Sequence, residues 1–354
     1  MVVRVVAERP GAIELSVEVE GEQTTAVAYT ALVGPVVAGD PVLVNTTAVA
    51  LGLGSGGAHF VVAVLGRGGL DEGAGPGHLM KLRYTPHQVA TLAVEEAGSP
   101  HHARMAAAQD LGGTPVVWLP LHSMLGPAAA GARAGGAGRV AYVMTDGAAL
   151  AAPLSRLAAS LRGAGLLDAV ISAGQAFGGD LESVNTFTAL LAARVVSGAD
   201  VVLVGDGPGN TGTDTPWGSS ALESAMALNA ASILQGRPIA ALRISFADAR
   251  ERHRGVSHHS LTALGRIAMG PVHVAVPALE DEGQRKVLAR ALQGVMDRHT
   301  VIETAGEPAL ALLEREGIPM ASMGRSVADD PAFFLAAGAA GVLAGRLAAG
   351  ASQA

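Results

Sequence analysis

The sequence predicts a two-part α/β protein: a small N-terminal β-barrel of the SH3 or OB kind, then a doubly wound, mostly parallel, Rossmann-like α/β domain. Three observations carry this expectation. Apolar and polar residues alternate with a period of two in the first 65 residues, and strand-length apolar runs alternate with helical segments from about residue 115. A chain of 354 residues also exceeds what one ordinary core takes up. The expected boundaries are a barrel over 1–85, a connecting helical region over 86–114 and an α/β domain over 115–350.

In the barrel region Ile13, Leu15, Val17 and Val19 alternate with Glu14, Ser16, Glu18 and Glu20, the pattern of a half-buried strand. Further strand-like runs cover 2–6, 25–29, 41–44 and 59–65, separated by turn signals at Pro10-Gly11, Glu20-Gly21 and Gly39-Asp40. Short strands at this spacing suggest a closed or half-closed barrel. Gly66, Gly68, Gly69, Gly73, Gly75 and Gly77 mark a connector, followed by a strand over 79–84 and a helix after Pro86.

In the second region strands are expected at 115–121, 139–144, 168–173, 200–205, 238–246, 271–276 and 299–303. Their nearly continuous apolar character suits a parallel sheet covered on both faces. Ser220 and Glu223 form a capping-box pair ahead of a helix that Gly236 closes, and Thr304 and Glu307 repeat the signature. Asp180 is read as the start of another helix, with Val184, Phe187, Leu190, Leu191 and Val195 as its buried stripe and Gly198 as its end.

Composition excludes several chemistries. No cysteine is present, which removes disulfides, thiolate nucleophiles and cysteine-ligated zinc. A net charge of −7 and an aromatic content of 3% disfavour nucleic acid as a partner. The apolar run at 332–345 falls short of the roughly 18 residues of a membrane span, and charges in the first ten residues spoil a signal peptide, so a cytoplasmic location is expected. There is no G-x-S-x-G elbow, H-E-x-x-H helix, EF-hand spacing or P-loop lysine, and the two lysines, Lys81 and Lys286, give a Schiff base little support.

Ligands of open parallel sheets bind beyond the carboxyl ends of the strands. Five expected strand ends carry polar loops: His122-Ser123, Thr145-Asp146-Gly147, 174–180 with Gln175, 206–214, and 248–254. The 206–214 loop contains Gly207-x-Gly209-x-x-Gly212 followed by Thr213. With 47 glycines in the chain, roughly 0.8 such matches arise by chance, and Asp206 and Asp214 would repel a pyrophosphate, so the motif is no dinucleotide fingerprint. Its backbone N–H groups could still hold an anion. The densest chemistry lies at 248–260. Arg250, Arg252 and Arg254 suit a phosphate or carboxylate, and Ser257 is placed to cap a helix with His258 and His259 in its first turn. There the imidazoles tend to stay neutral, fit to accept a proton or bind a metal, and adjacent positions on a helix let at most one face a cleft. Asp146, Asp206 and Asp248 are the expected holders of a divalent cation. His101-His102 reads as surface, and Met323-Gly324-Arg325 with Asp329 and Asp330 as an anion-capable loop ahead of the last helix.

Segments 77–85, 142–147, 174–180, 207–212, 248–259 and 323–325 together resemble a bacterial family of unknown function seen in actinobacteria and firmicutes. The resemblance covers nearly the whole chain, with 248–259 its most specific part. It implies a bacterial cytosolic protein and brings no activity or site residue.

The reading from the residues is therefore an enzyme, a hydrolase or transferase, acting on a small anionic substrate that is phosphorylated or nucleotide-like. Arg250, Arg252, Arg254, Gln175, Gly207, Gly209, Gly212 and Thr213 would bind it, Asp248, His258 and His259 would serve catalysis, and a divalent cation is a compatible cofactor. The alternative is a non-catalytic metabolite sensor whose barrel docks a partner. No membrane partner is expected, and self-association is open.

Overall fold

The alternation of the N-terminal region becomes a five-stranded sheet in the computed structural model, which describes residues 1–52, 56–67 and 77–350. Its strands are β1 (Val2–Arg9), β2 (Ala12–Val19), β3 (Glu22–Tyr29), β4 (Val42–Asn45) and β5 (Ala58–Val64), in the order β1-β2-β3-β5-β4. Neighbours pair antiparallel except β3 and β5. Ile13, Leu15 and Val17 enter a small core with Val36, Val61 and Val64. Contrary to the expected barrel, this sheet does not close among the described residues. Two backbone bonds draw its ends together, Val2 N to Asp40 O and Gly39 N to Val2 O, both 2.9 Å. But β4 is only four residues long, and Pro41, just before it, has no N–H to donate. Of the connector's glycines, Gly68, Gly69, Gly73 and Gly75 lie outside the described residues.

After Pro86 the chain forms no helix. Leu79–Lys81 (β6) and Val89–Thr91 (β7) pair as an antiparallel hairpin that straddles the expected boundary at residue 85. The first helix of this stretch is His102–Ala107, with His102 exposed at its start.

The expected strands of the second region appear with small shifts, the first five as β8 (Pro115–Trp118), β9 (Val140–Thr145), β10 (Ala169–Ala173), β12 (Val201–Asp206) and β13 (Arg237–Ala241), and a short strand that was not expected, β11 (Leu181–Ser183), lies between β10 and β12 in the chain. A hairpin of β14 (Ile244–Ser245) and β15 (Gly255–Val256) follows, then β16 (His273–Pro277), β17 (Thr300–Thr304) and a hairpin of β18 (Ala321–Ser322) and β19 (Arg325–Ser326). Eight of these strands form one sheet, β11-β10-β9-β12-β8-β13-β16-β17, and every neighbouring pair is parallel. Successive residues feed two cores, Val116 and Trp118 into one and Val117 and Leu119 into the other. Helices cover both: Leu190, Leu228, Leu264 and Leu288 join the first, Ala128, Leu161, Leu313 and Phe333 the second.

The abundant Ala and Gly have a specific use. Helices Leu125–Ala134 and Pro331–Ala348 pack backbone to backbone, so that a methyl group on Gly131, Gly341 or Gly345 would strike the facing main chain. The second of these, by length and composition, could cross a membrane, but 78% of it is buried inside the protein.

Helix starts differ from the expected ones for local reasons. The Asp180 carboxylate accepts the Val170 N–H and pairs with Arg162, leaving room for the short edge strand β11. The helix Thr186–Val195 is capped instead by Asn185, whose side chain accepts from Phe187 N and Thr188 N, and Val184 and Phe187 are exposed. The Thr304 signal is displaced two residues, to Gly306 at the cap of Glu307–Arg315.

Topology marks out a candidate site. β9 and β12 are neighbours, yet the chain leaves β9 toward β10 on one side and leaves β12 toward β13 on the other. Such divergence opens a crevice outside the carboxyl ends.

Candidate functional site

The polar strand ends share one edge of the sheet because all eight strands are parallel, but they divide into two clusters. The first is roofed over. The turn at Gly11 rests on Pro153, Arg9 Nε donates to Pro153 O at 2.8 Å, and Arg156 Nε donates to Glu14 Oε1 at 2.6 Å. Alongside, the β6–β7 hairpin inserts the fully buried Lys81, whose Nζ donates to the Gly174 and Ala176 carbonyls at 2.8 Å each and pairs with Glu182 at 3.2 Å. The Gln175 side chain accepts the Arg83 N–H in the same seam.

Beneath this roof the polar groups satisfy one another. The buried Asp206 accepts from Thr145 Oγ1 at 2.7 Å and Asn210 Nδ2 at 2.8 Å. Burial raises its carboxyl above the ordinary value, the bonds from Thr145, Ser220 and Gly147 oppose this, and the nearby charge of Asp146 adds to the rise. Asp146 itself is exposed and accepts the Gln175 N–H at 2.9 Å. His122 bonds Ser155 Oγ through Nε2 (2.7 Å) and Tyr142 Oη through Nδ1 (3.3 Å), and the tyrosine hydroxyl donates to the Asp206 carbonyl at 2.8 Å. Ser155 Oγ also accepts Ala158 N, so its O–H is free for Nε2 and the imidazole is neutral with Nδ1 protonated. Burial pushes the His122 ring down to about 4.

The second cluster is open. A cleft of about 1060 Å³ is walled by Leu121–Ser123, the 208–212 loop, Arg243, Arg250, His253, His259 and the 319–323 segment, with Gly56 of the N-terminal sheet at its rim. Gly209 turns the loop with φ +97°, a conformation that costs glycine least. Gly212 is needed for space rather than for dihedral freedom: a methyl there would lie 3.3 Å from His259 Nε2. The N–H groups of Gly209, Asn210 and Gly212 donate to nothing among the described residues.

The β14–β15 hairpin carries the 248–254 segment into this cleft. Asp248 is buried and surrounded by guanidinium groups. Arg250 grips it with two bonds of 2.9 and 2.8 Å, Arg243 Nη2 lies at 3.1 Å and Arg325 Nη2 at 3.5 Å. Hydrogen bonding from Arg250 leads the causes that hold its carboxyl far below the usual range. Asp330 supports the same network, accepting Ser245 Oγ at 2.6 Å and facing Arg325 Nε at 3.3 Å. Three guanidinium groups against two carboxylates leave this wall net positive. Burial also pulls the Arg243 guanidinium down to about 10, and Met323, at the tip of the β18–β19 hairpin, sets its sulfur 3.5 Å from Arg243 Nη2.

His253, His258 and His259 stand next to these arginines. Their ring centroids are 5.2 Å (253 to 258), 5.8 Å (253 to 259) and 3.9 Å (258 to 259) apart. Ser257 does not cap the helix His258–Thr262; its hydroxyl orients His253 through Nδ1 at 2.9 Å. Burial is the first cause that lowers all three rings, His253 to about 3 and His259 to about 4, with the arginine charges pushing the same way. The Pro216 carbonyl slightly favours protonated His259, yet neither nitrogen of that ring makes a hydrogen bond among the described residues.

Of the residues singled out in the sequence, Gly209, Gly212, Arg250 and His259 meet at the cleft, and His258 faces the neighbouring hollow beside Trp217. Asp248 lies beneath as their counter-ion. Arg252 turns away to pair with Asp214 at 2.5 Å, Arg254 is exposed, and Thr213 bonds within its own turn. Gly207 is a packing position, buried against the Ala149 carbonyl, and Gln175 stays under the roof. The expected carboxylate trio does not form: among the described residues Asp146, Asp206 and Asp248 make up no group able to hold one ion, and each is tied to separate partners. Arg243 and His253 were missed. A lone arginine inside the apolar run 238–246 was the available signal for the first, and the tight turn Glu251–His253 hid the second.

A family model described as "Protein of unknown function (DUF3866)" matches residues 25–341, most of the chain. The chain belongs to the DUF3866 family. No curated protein and no solved structure matches it. Within this DUF3866 chain the matched span takes in both polar clusters and three of the five N-terminal strands in whole or part.

Proposed function

We propose that this DUF3866 protein is an enzyme whose cleft binds a small anionic molecule carrying a phosphoryl-type group, and that it acts as a hydrolase or transferase. The observation that carries the reading is the juxtaposition, on one wall, of Arg243 and Arg250 with the neutral imidazoles of His253 and His259. Asp248 fixes the guanidinium groups without cancelling them, so a bound anion would meet oriented donors already in position. The unpaired N–H groups of Gly209, Asn210 and Gly212 belong to the loop that lines the same cleft and could complete the cradle. A neutral imidazole against the anion could orient or deprotonate an attacking hydroxyl. In this reading Asp248 positions the arginines and is not itself a base, because its oxygens are occupied.

The test is a thermal-unfolding titration of the full-length protein with inorganic pyrophosphate and with a nucleoside monophosphate. Stabilisation that saturates, weakens at least tenfold in affinity for Arg250→Ala and persists in Arg254→Ala is expected. No saturable stabilisation, or equal binding to Arg250→Ala, would overturn the reading. A sensor reading draws on one observation: Gly56 of the N-terminal sheet borders the cleft, so occupancy could be felt there. Saturable binding without any turnover of phosphate esters would favour it.

A further inference from the structure

We propose that His253, His258 and His259 bind a late first-row divalent cation, zinc or cobalt, at the inner wall of the cleft. One ligating nitrogen from each ring lies within 4.8 Å of the others. Metal–nitrogen bonds near 2.0–2.1 Å in a tetrahedral site place such nitrogens about 3.3 Å apart, so side-chain rotation suffices to close the trio. The buried nitrogens themselves ask for a partner: His258 Nε2 and both ring nitrogens of His259 make no hydrogen bond among the described residues, although His259 is only 6% exposed. Buried polar groups are normally paired. His122 has both nitrogens bonded, and His59, His273 and His299 each leave one buried nitrogen unpaired; among the described residues His259 alone leaves both.

Two further features suit a cation. Ser257 Oγ holds His253 by Nδ1 and leaves Nε2 to ligate, the orientation that an outer hydroxyl imposes on a metal-bound imidazole. Gly212 keeps the approach to His259 Nε2 clear. Three imidazoles without a carboxylate favour zinc, cobalt or their neighbours over magnesium or calcium, which take oxygen ligands. With three protein ligands the fourth position is open to the cleft. The surroundings are already positive, since Asp248 only partly offsets Arg243 and Arg250, while Asp214 neutralises Arg252. The bound cation therefore gains from an anion in the cleft, and by reciprocity the anion gains from the cation. That coupling rests on the anion-binding reading; the cation site does not.

Equilibrium dialysis of the full-length protein against cobalt chloride tests the site, read by metal analysis and by the visible absorption of tetrahedral cobalt, then by displacement with zinc. About one equivalent with that absorption is expected, with affinity falling at least tenfold in His258→Ala and in His259→Leu and unchanged in Arg254→Ala. Absence of stoichiometric cobalt in the wild type, or unaltered binding in both histidine variants, overturns the site. Should His259→Leu fail to unfold cooperatively, His258→Ala, at a half-buried position, decides. Pyrophosphate titrations with and without zinc then separate the two claims. Tighter pyrophosphate binding with zinc supports the coupling, metal binding with no such effect overturns the coupling alone, and pyrophosphate binding without any metal binding overturns the cation site and leaves the anion reading standing.

Discussion

The two polar clusters on the sheet's carboxyl edge are made of the same kinds of residue and end up with opposite characters. Around Asp206, under the N-terminal sheet and the β6–β7 hairpin, the polar side chains named above meet partners: Thr145, Asn210, Tyr142 and His122 are bonded within the cluster. Around His259 the cleft is open, three guanidinium groups crowd one carboxylate, and buried imidazole nitrogens lack partners. The difference teaches that a polar strand end is not itself a sign of function. Unmet polar valence is the sign, because a buried group without a partner costs on the order of 1–3 kcal/mol and persists where a ligand supplies what the fold does not.

The largest expected effect tests the open cluster's own support. Replacing Asp248 by Ala leaves the buried Arg243 facing Arg250 and Arg325 without their shared counter-ion. Breaking such a pair from one side costs about 3–5 kcal/mol, and urea unfolding should show a loss of that size. Phosphate should restore more stability to Asp248→Ala than it adds to the wild type, since an external anion can replace the missing charge. A loss under about 1 kcal/mol would mean that other contacts hold the arginines and that this cluster is less strained than drawn.

Acid probes the closed cluster next. His122 titrates near 4 in the folded protein, below the ordinary value of 6.5, because burial disfavours its charged form. The unfolded chain thus takes up this proton first. Stability is complete above pH 6.5 and is lost as pH falls from 6.5 to about 4, by about 3 kcal/mol. The other depressed histidines tilt the curve in the same direction, so the comparison is with His122→Asn: its unfolding free energy should fall less between pH 7 and pH 4.5. Equal slopes in the two proteins would remove His122 from the acid response.

Much of the scaffold was legible in the sequence because its signals are local. Seven of the eight strands of the parallel sheet were expected, since their apolar runs announce burial on both faces, and only the three-residue β11 lay hidden behind the Asp180 signal. Barrel closure was misread because it depends on contacts between distant segments, and the short β4 after Pro41 does not supply them. The site was legible in part for the same reason. The histidine pair stands out, and helix geometry allowed at most one of the two to face the cleft. Spacing suggested that Arg250, Arg252 and Arg254 act together, but the tight turn Glu251–His253 sends them three ways. Asp248 looked like a metal ligand because its partners Arg243 and Arg325 lie 5 and 77 residues away in sequence.

The smallest expected effect discriminates most sharply between the clusters. Replacing His259 by Leu removes two nitrogens that the fold leaves unbonded and keeps an apolar group of similar bulk in place. The desolvation cost of those nitrogens disappears, so stability should hold within about 1 kcal/mol of the wild type or rise, the usual trade of function for stability at a binding site. The matching change in the closed cluster, Asn210→Leu, strips Asp206 of one donor and His122 N of its acceptor, and should cost about 2 kcal/mol. Paired urea titrations of the two variants set a buried imidazole against a half-buried amide, one polar side chain exchanged for leucine in each cluster. If His259→Leu proves as damaging as Asn210→Leu, the imidazole is bonded in solution by groups of the protein itself, and the contrast between an open and a closed cluster fails.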